Sequence, residues 1–354
     1  MTRITKRQLL GGPAALAMAA ILPARQASAQ ALLPHEQALH AAAQREGEVT
    51  WYAAQLQAGP AEAIGRAFTE RFPGVRCNVV RTTSQAAFQR LSQDHRAGAA
   101  QCDILSSVDP SHFTFLKREG RLMPYKPVNA AGMVPAARDA ADVDGHFQVS
   151  YIALYLLGYR TDRITEAEAP KSWRELTDPK WRNRLAVGHP GFSGAIGNWA
   201  VVMNRIYGRQ YFTELERNRP LIGRSAGDPV TALNAGERLV GIAVPSAATL
   251  FSMSRGNPIK LSYPTDGTLM VPAPSAAIAN APHPNAARLF MEFICSPAYS
   301  TAARPHFAES LRPEVPPPEG SRPLDQINTF TPSVAEVEAN MRDMRDTWRD
   351  IFGV

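Results

Sequence analysis

Between residues 47 and 105 the sequence alternates short apolar runs with longer amphipathic stretches, and that alternation restricts the fold more than any other feature. Gly47-Glu48-Val49-Thr50-Trp51-Tyr52-Ala53-Ala54 reads as a short buried strand. Pro60 to Phe72 then places Ile64, Ala67, Phe68 and Phe72 on one helical face. Pro73-Gly74 stops that helix, and Val75 to Arg81 is a second strand. Ser84 is expected to cap a helix from Gln85 to Ala97, ahead of a third strand, Cys102-Asp103-Ile104-Leu105. Strand–helix–strand units of this kind predict an α/β fold with a parallel sheet. Open parallel sheets take ligands beyond the carboxyl ends of their strands. Here those ends lead into 55–59, 82–84 and 106–109, which are small and polar, with Asp109 and the nearby Arg81 as charges.

A second unit follows. Phe147 to Tyr159 is an apolar run long enough to cross between domains, and Pro170 to Trp181 reads as a short amphipathic helix with a turn. Leu185-Ala186-Val187-Gly188, Pro220-Leu221-Ile222-Gly223 and Leu239 to Val244 are strands. His189-Pro190-Gly191-Phe192-Ser193-Gly194 opens a helix running to about Tyr207. Ile259–Ser262 and a buried run ending at Ile278 come next, followed by helices at Pro284–Cys295 and Ser333–Ile351 joined by a Pro-rich linker, 313–323. No internal repeat stands out.

Charge needs a location before it means anything. The 354 residues carry a formal net charge of +6. Arg3, Lys6, Arg7 and Arg25 fall in the first 29 residues, which hold no acid, so the remainder has 34 basic against 32 acidic residues. That segment has a basic start, an apolar stretch from Leu9 to Leu22 and Ala27-Ser28-Ala29 as a small-x-small cleavage site, the plan of an export signal. The stretch is shorter than the roughly 20 residues a membrane span needs. Thr5-Lys6-Arg7-Gln8-Leu9-Leu10 resembles a twin-arginine motif with Lys for the first Arg, which leaves the export route open. The mature chain is therefore expected to be soluble and outside the cytoplasm. Its other charges interleave, as in Arg342-Asp343-Met344-Arg345-Asp346, a solvated helix face and not a nucleic-acid stripe.

Catalytic and metal signatures fail in turn. Gly191-Phe192-Ser193-Gly194-Ala195 lacks the second glycine of a nucleophile elbow. His35 and His40 are five residues apart, about 140° around a helix, and cannot share one ion. There is no glycine-rich phosphate loop with a Lys-Ser/Thr ending. The three cysteines, Cys77, Cys102 and Cys295, form no CxxC; Cys77 and Cys102 read as small buried hydrophobes, with their pairing left open. No cofactor and no metal are implied.

The order of segments resembles the periplasmic solute-binding proteins of ABC importers. It is most similar to the type-2, two-lobed branch that includes ferric-iron binders and binders of small organic or phosphorylated anions. The resemblance runs through Gly47–Tyr52, Cys102-Asp103-Ile104-Leu105-Ser106-Ser107, Pro170-Lys171-Ser172-Trp173-Arg174-Glu175-Leu176 with Asp178-Pro179-Lys180-Trp181-Arg182, Tyr263-Pro264-Thr265-Asp266-Gly267-Thr268, and Ala281-Pro282-His283-Pro284-Asn285-Ala286-Ala287. It implies two α/β lobes joined by two crossing hinge strands, near 147–154 and 261–271. The first lobe would be 30–150 plus 266–312 and the second 151–265, with 313–354 as linker and a C-terminal helix packing back across the lobes. It further implies a monomer without catalytic activity that delivers a solute in the periplasm to permease and ATPase subunits of the inner membrane. A ferric-ion binder or a ligand-sensing subunit is the alternative. Iron-binding members carry adjacent tyrosines after the strand corresponding to Val240–Val244, where this chain has Pro245-Ser246-Ala247-Ala248. Neutral donors there suit an oxyanion instead.

Ser193-Gly194 with Ala195 is the leading anion cradle, since a helix start offers free N–H groups and a favourable dipole; the same residues would serve as a plain cap. In the family arrangement Ser106 and Ser107 face it from the other lobe. Arg81 can pair a carboxylate through two nitrogens. Thr83, Ser225, Ser246 and Tyr151 are candidates because they end strands or lie on the expected crossover. Asp266 would mark the return hinge or meet a cationic part of the ligand, and as a Thr-Asp-Gly residue it also suits a turn.

Overall fold

The computed structural model describes residues 31–354. The export-signal reading of 1–29 lies outside the described residues. The chain opens with α1 (Pro34–Glu46), then β1 (Glu48–Ala53), α2 (Ala58–Arg71), β2 (Arg76–Arg81), α3 (Ser84–Arg96), β3 (Ile104–Ser106) and α4 (Pro110–Arg118). Strands β1, β2 and β3 pair in parallel, with Ala53 level with both Arg81 and Ser106. The α3 cap differs from expectation. Thr83 is the N-cap and accepts from the Ala86 N–H, while Ser84, already helical, accepts from the Val108 N–H and ties α3 to the turn after β3.

After α5 (Pro135–Asp139), β4 (Gln148–Arg160) is the long crossing strand. Beyond it lie β5 (Leu185–Val187), α6 (Gly194–Tyr207), α7 (Gln210–Glu216), β6 (Leu221–Ile222), α8 (Asp228–Ala235), β7 (Val240–Pro245), α9 (Ser246–Ser254) and β8 (Ile259–Ser262). The chain returns through β9 (Thr268–Ala277), α10 (Pro284–Ile294) and α11 (Pro297–Ala303), and ends with β10 (Thr329–Phe330) and α12 (Val334–Phe352). The strand order is β2-β1-β3-β9-β4-β7-β5-β6, with β8 on β4 and β10 on β9. Antiparallel β4 and β9 therefore join two parallel groups, the two-lobed arrangement with two crossover strands.

Each group has its own core. Tyr52, Leu105, Phe113, Leu116 and Ala276 form one apolar cluster. Trp173, Trp199, Tyr211, Phe212 and Trp348 anchor another. In the second, Trp348 of α12 is 1% exposed and stacks edge-on against Trp199 and Phe212. Burying a side chain of that size contributes about 3 kcal/mol. Gly197 admits α12 against α6, because a Cβ there would lie 2.5 Å from the Met341 methyl. The packing partners of α12 are thus α6 and α7, not both lobes as expected. The segment Pro170–Trp181 is two 3₁₀ turns, Arg174–Thr177 and Pro179–Trp181, instead of a helix. Pro179 interrupts the run, and Asp178 caps the second turn through the Lys180 N–H.

Candidate functional site

Strand register gathers the loops. The ends of β1, β2 and β3 are level at Ala53, Arg81 and Ser106. Those of β5 and β6 are paired at Val187 and Ile222, and β7 ends at Pro245. Strand β4 links the two sets: Gln148 and Ser106 both pair with Ser275, and Tyr155 pairs with Pro245. Its seven-residue step between them spans roughly 24 Å at the rise of an antiparallel strand. Tyr151, Ala153 and Tyr155 alternate with buried neighbours and are partly exposed, so one face of β4 floors the gap.

On the first side, the Arg81 guanidinium turns onto the Thr82 carbonyl, its Nε is buried without a partner, and it makes no ion pair among the described residues. Thr83 caps α3. Ser106 is fully buried, accepting from Trp51 Nε1 at 2.7 Å and sharing a short hydrogen bond with the Ser275 hydroxyl. The Ser107 hydroxyl meets His112 Nδ1 at 3.1 Å and accepts from the Asp109 N–H at 3.1 Å. Gln55, in the 55–59 segment but not singled out as a candidate, is 8% exposed; its Nε2 donates to Ser150 Oγ at 3.4 Å and its Oε1 is buried without a partner. Its signal was its place at the end of β1.

On the second side, Ser193 caps α6 by accepting from the Ile196 N–H at 3.4 Å. The Gly194 and Ala195 N–H groups precede the first intrahelical acceptor, and a Cβ at Gly194 would meet nothing within 4 Å. Beside them Phe192 is 65% exposed with the Arg224 guanidinium 4.9 Å from its ring centre. Neither is a sequence candidate: Phe192 lies inside the Gly191–Ala195 segment, and Arg224 gains its meaning from a neighbour 32 positions away. Ser225 is engaged by Asp228, donating its hydroxyl at 2.6 Å and its N–H at 3.0 Å. The Ser225 hydroxyl holds the Asp228 carboxyl below its usual range, with backbone donors adding to it. Ser246, the first residue of α9, donates to Glu309 Oε1 at 2.9 Å. Burial raises the Tyr151 phenol, with the Tyr155 and Glu309 charges adding to the effect.

The fold therefore brings Arg81, Thr83, Ser106 and Ser107 to one set of strand ends. It brings Ser193, Gly194, Ala195, Ser225 and Ser246 to the other, with Tyr151 on the strand between. Asp266 stands apart. Its Oδ2 accepts from the Trp173 N–H at 2.8 Å, the Arg174 N–H at 3.3 Å and the Tyr207 hydroxyl at 2.5 Å. For metals, Asp142, Asp144 and His146 place ligand atoms within 4.8 Å of one another. Lys117 already bridges the two aspartates at 2.6 Å each, so a cation occupies that position. All three cysteines are free thiols.

Residues 49–307 match the family model described as bacterial extracellular solute-binding protein. A Salmonella paratyphi A protein named for periplasmic binding of 2-aminoethylphosphonate is 21% identical over 326 residues, 86% of this chain and 89% of its own. The structure of iron-bound HitA from Pseudomonas aeruginosa superposes with a TM-score of 0.68 at 19% identity, covering 86% of this chain and 99% of HitA. The periplasmic binding protein AfuA from Actinobacillus pleuropneumoniae, with fructose-6-phosphate bound, gives 0.65 at 19% identity, covering 87% and 99%. Among the described residues no helix is long and apolar enough to cross a membrane.

Proposed function

The chain belongs to the bacterial extracellular solute-binding proteins, and we propose that it captures a small carboxylate or phosphoryl anion between its lobes for delivery to a membrane permease. It is the substrate-binding component of an ABC import system, in which ATP is hydrolysed on other subunits. The reading takes 30–150 with 266–312 as the first lobe and 151–265 as the second, α12 riding on the latter, and assigns the chain no catalysis. Export through the 1–29 signal would place it in the periplasm.

The observation that carries the anion reading is Arg81, a cation at the end of β2 without a carboxylate partner among the described residues. Burying a guanidinium donor unsatisfied is costly, so an incoming oxyanion would gain more there than at a solvated arginine. The start of α6 supplies Gly194 and Ala195 N–H groups from the other lobe, with Arg224 steadied on Phe192 beside them. An anion held by both lobes stabilises the closed form by its differential affinity for closed over open. The Ser106 and Ser107 hydroxyls position the first lobe's turn and leave anion contact to the neighbouring backbone.

Thermal-shift measurements with phosphonates, sugar phosphates, carboxylates and polyamines test this, because a ligand of the folded state raises apparent stability. Oxyanions should raise the melting temperature and polyamines should not. Stabilisation by polyamines alone would overturn the reading.

A further inference from the structure

Among the described residues four acids are buried, and three of them are well compensated. Glu36 pairs with Arg71 at 2.7 Å and accepts from Asn129. Glu292 accepts from the Tyr125 hydroxyl and from the Val128 and Asn129 N–H groups. Asp103 accepts from the Thr50 and His283 N–H groups and meets the His283 ring at 2.9 Å. Glu309 is the exception. It is 4% exposed, and its partners are two hydroxyls: Ser246 at 2.9 Å and Ser321 at 3.1 Å. No basic nitrogen lies within ion-pair distance among the described residues. A buried carboxylate held by neutral donors keeps most of its desolvation cost. Burial accordingly raises its pKa to about 7, against the lowering by the Ser246 and Ser321 hydroxyls.

The position of this residue matters as much as its isolation. Glu309 comes from the segment after α11, where Arg312 donates to the Asn129 and Cys295 carbonyls of the first lobe. Its carboxylate nevertheless meets the first residue of α9, which directly follows Pro245, the register partner of Tyr155 on β4. Its charge also acts on the Tyr151 hydroxyl. Tyr151 and Tyr155 share the partly exposed face of β4, with Ala153 as a small floor between them. A carboxylate without a cation, whose charge reaches the Tyr151 phenol on a strand face that Tyr155 shares, has the chemistry that holds an organic ammonium.

We propose that Glu309, with Tyr151 and Tyr155, is a seat for an organic ammonium, so that the solute is a zwitterion whose anionic end meets Arg81 and the start of α6. The seat rests on the anion reading for the other end of that solute. The ammonium supplies the charge that Glu309 lacks, and the rings exclude water from the pair.

Isothermal titration of the mature protein with 2-aminoethylphosphonate and with propylphosphonate, in which a methyl replaces the ammonium, tests the seat. The first should bind about 30-fold tighter, as expected for a partly buried charge pair. Glu309→Gln should bring the two within about threefold, and Tyr155→Leu should reduce the difference if Glu309→Gln fails to fold. Equal affinities in the unsubstituted protein, or a preference that survives both substitutions, would sink the seat. If neither phosphonate binds, the anion reading fails, and melting in ethylammonium chloride against sodium chloride at equal ionic strength decides the seat separately. A rise of about 2 °C in the unsubstituted protein, absent in Glu309→Gln, supports it, and equal melting overturns it. A visible tyrosinate band on adding ferric citrate would assign these oxygens to a metal and also overturn it.

Discussion

The turns after β3 and β5 each follow a short buried strand and each carry serine, yet they do different work. In the first, Ser106 satisfies Trp51 and Ser275, and Ser107 satisfies His112 and the Asp109 N–H. Those hydroxyls are spent on the fold. In the second, Ser193 spends its hydroxyl on Ile196, but glycine follows it, space is open above Gly194, and Phe192 projects with Arg224 on its ring. A serine at a strand end is thus a structural donor where a buried indole or imidazole needs one. Where the backbone beside it stays open, as at Gly194, we propose that it marks a binding surface.

The turn into α9 strains this division, because Ser246 serves neither the fold's own backbone nor open space but a carboxylate. Its test has the largest expected effect. The Glu309 pKa is raised from 4.5 to about 7, so the folded chain binds more protons than the unfolded one between those values. The associated stability is present below about pH 4.5 and lost as pH rises through 7, a difference of roughly 3 kcal/mol. Glu309→Gln should flatten that slope in denaturant titrations at pH 5 and pH 8. An unchanged slope would mean that Glu309 is ionised and content, which would place Ser246 with Ser106.

Arg81→Ala comes next. Losing a charged donor in the gap should weaken oxyanion binding by about 100-fold, near 2.7 kcal/mol, with little change in melting. Unchanged affinity with lower stability would move Arg81 to the structural side. Ser106→Ala should behave oppositely, costing about 2 kcal/mol of stability by leaving the Trp51 N–H buried and unpaired. Ligand affinity measured well below its melting temperature should hardly move.

The fold was legible because its strands are apolar runs bounded by glycine, proline and helical periodicity, all local signals. Helix α9, Ser-Ala-Ala-Thr-Leu-Phe-Ser-Met-Ser, escaped because it has no charged face to betray a helical period. The proposed site was legible only as far as strand ends reveal it. That rule reaches Arg81 and Ser193–Ala195, but it cannot separate Ser106 from Ser193, since the deciding partners, Trp51 and Ser275, are distant in sequence. Tyr155 read as one more residue of a buried strand. Glu309 lies in a stretch with no motif, and its partner Ser246 is 63 positions away. Tertiary pairing, not residue type, makes these residues informative.

The smallest predicted effect isolates the open backbone itself. Ser193 has φ −125° and ψ 114°, extended geometry that tolerates a following proline. Position 194 is the first helical residue, where proline is pre-organised and the deleted N–H has no helical acceptor. Gly194→Pro should therefore leave stability equal or slightly higher. It should weaken oxyanion binding by about tenfold, the worth of one hydrogen bond to a charged acceptor. Because the Ser193 hydroxyl survives, the substitution separates the cap from the cradle, which Ser193→Ala does not. Unchanged affinity would leave the β5 turn a capped helix start like the one at Thr83, and the contrast with the β3 turn would collapse.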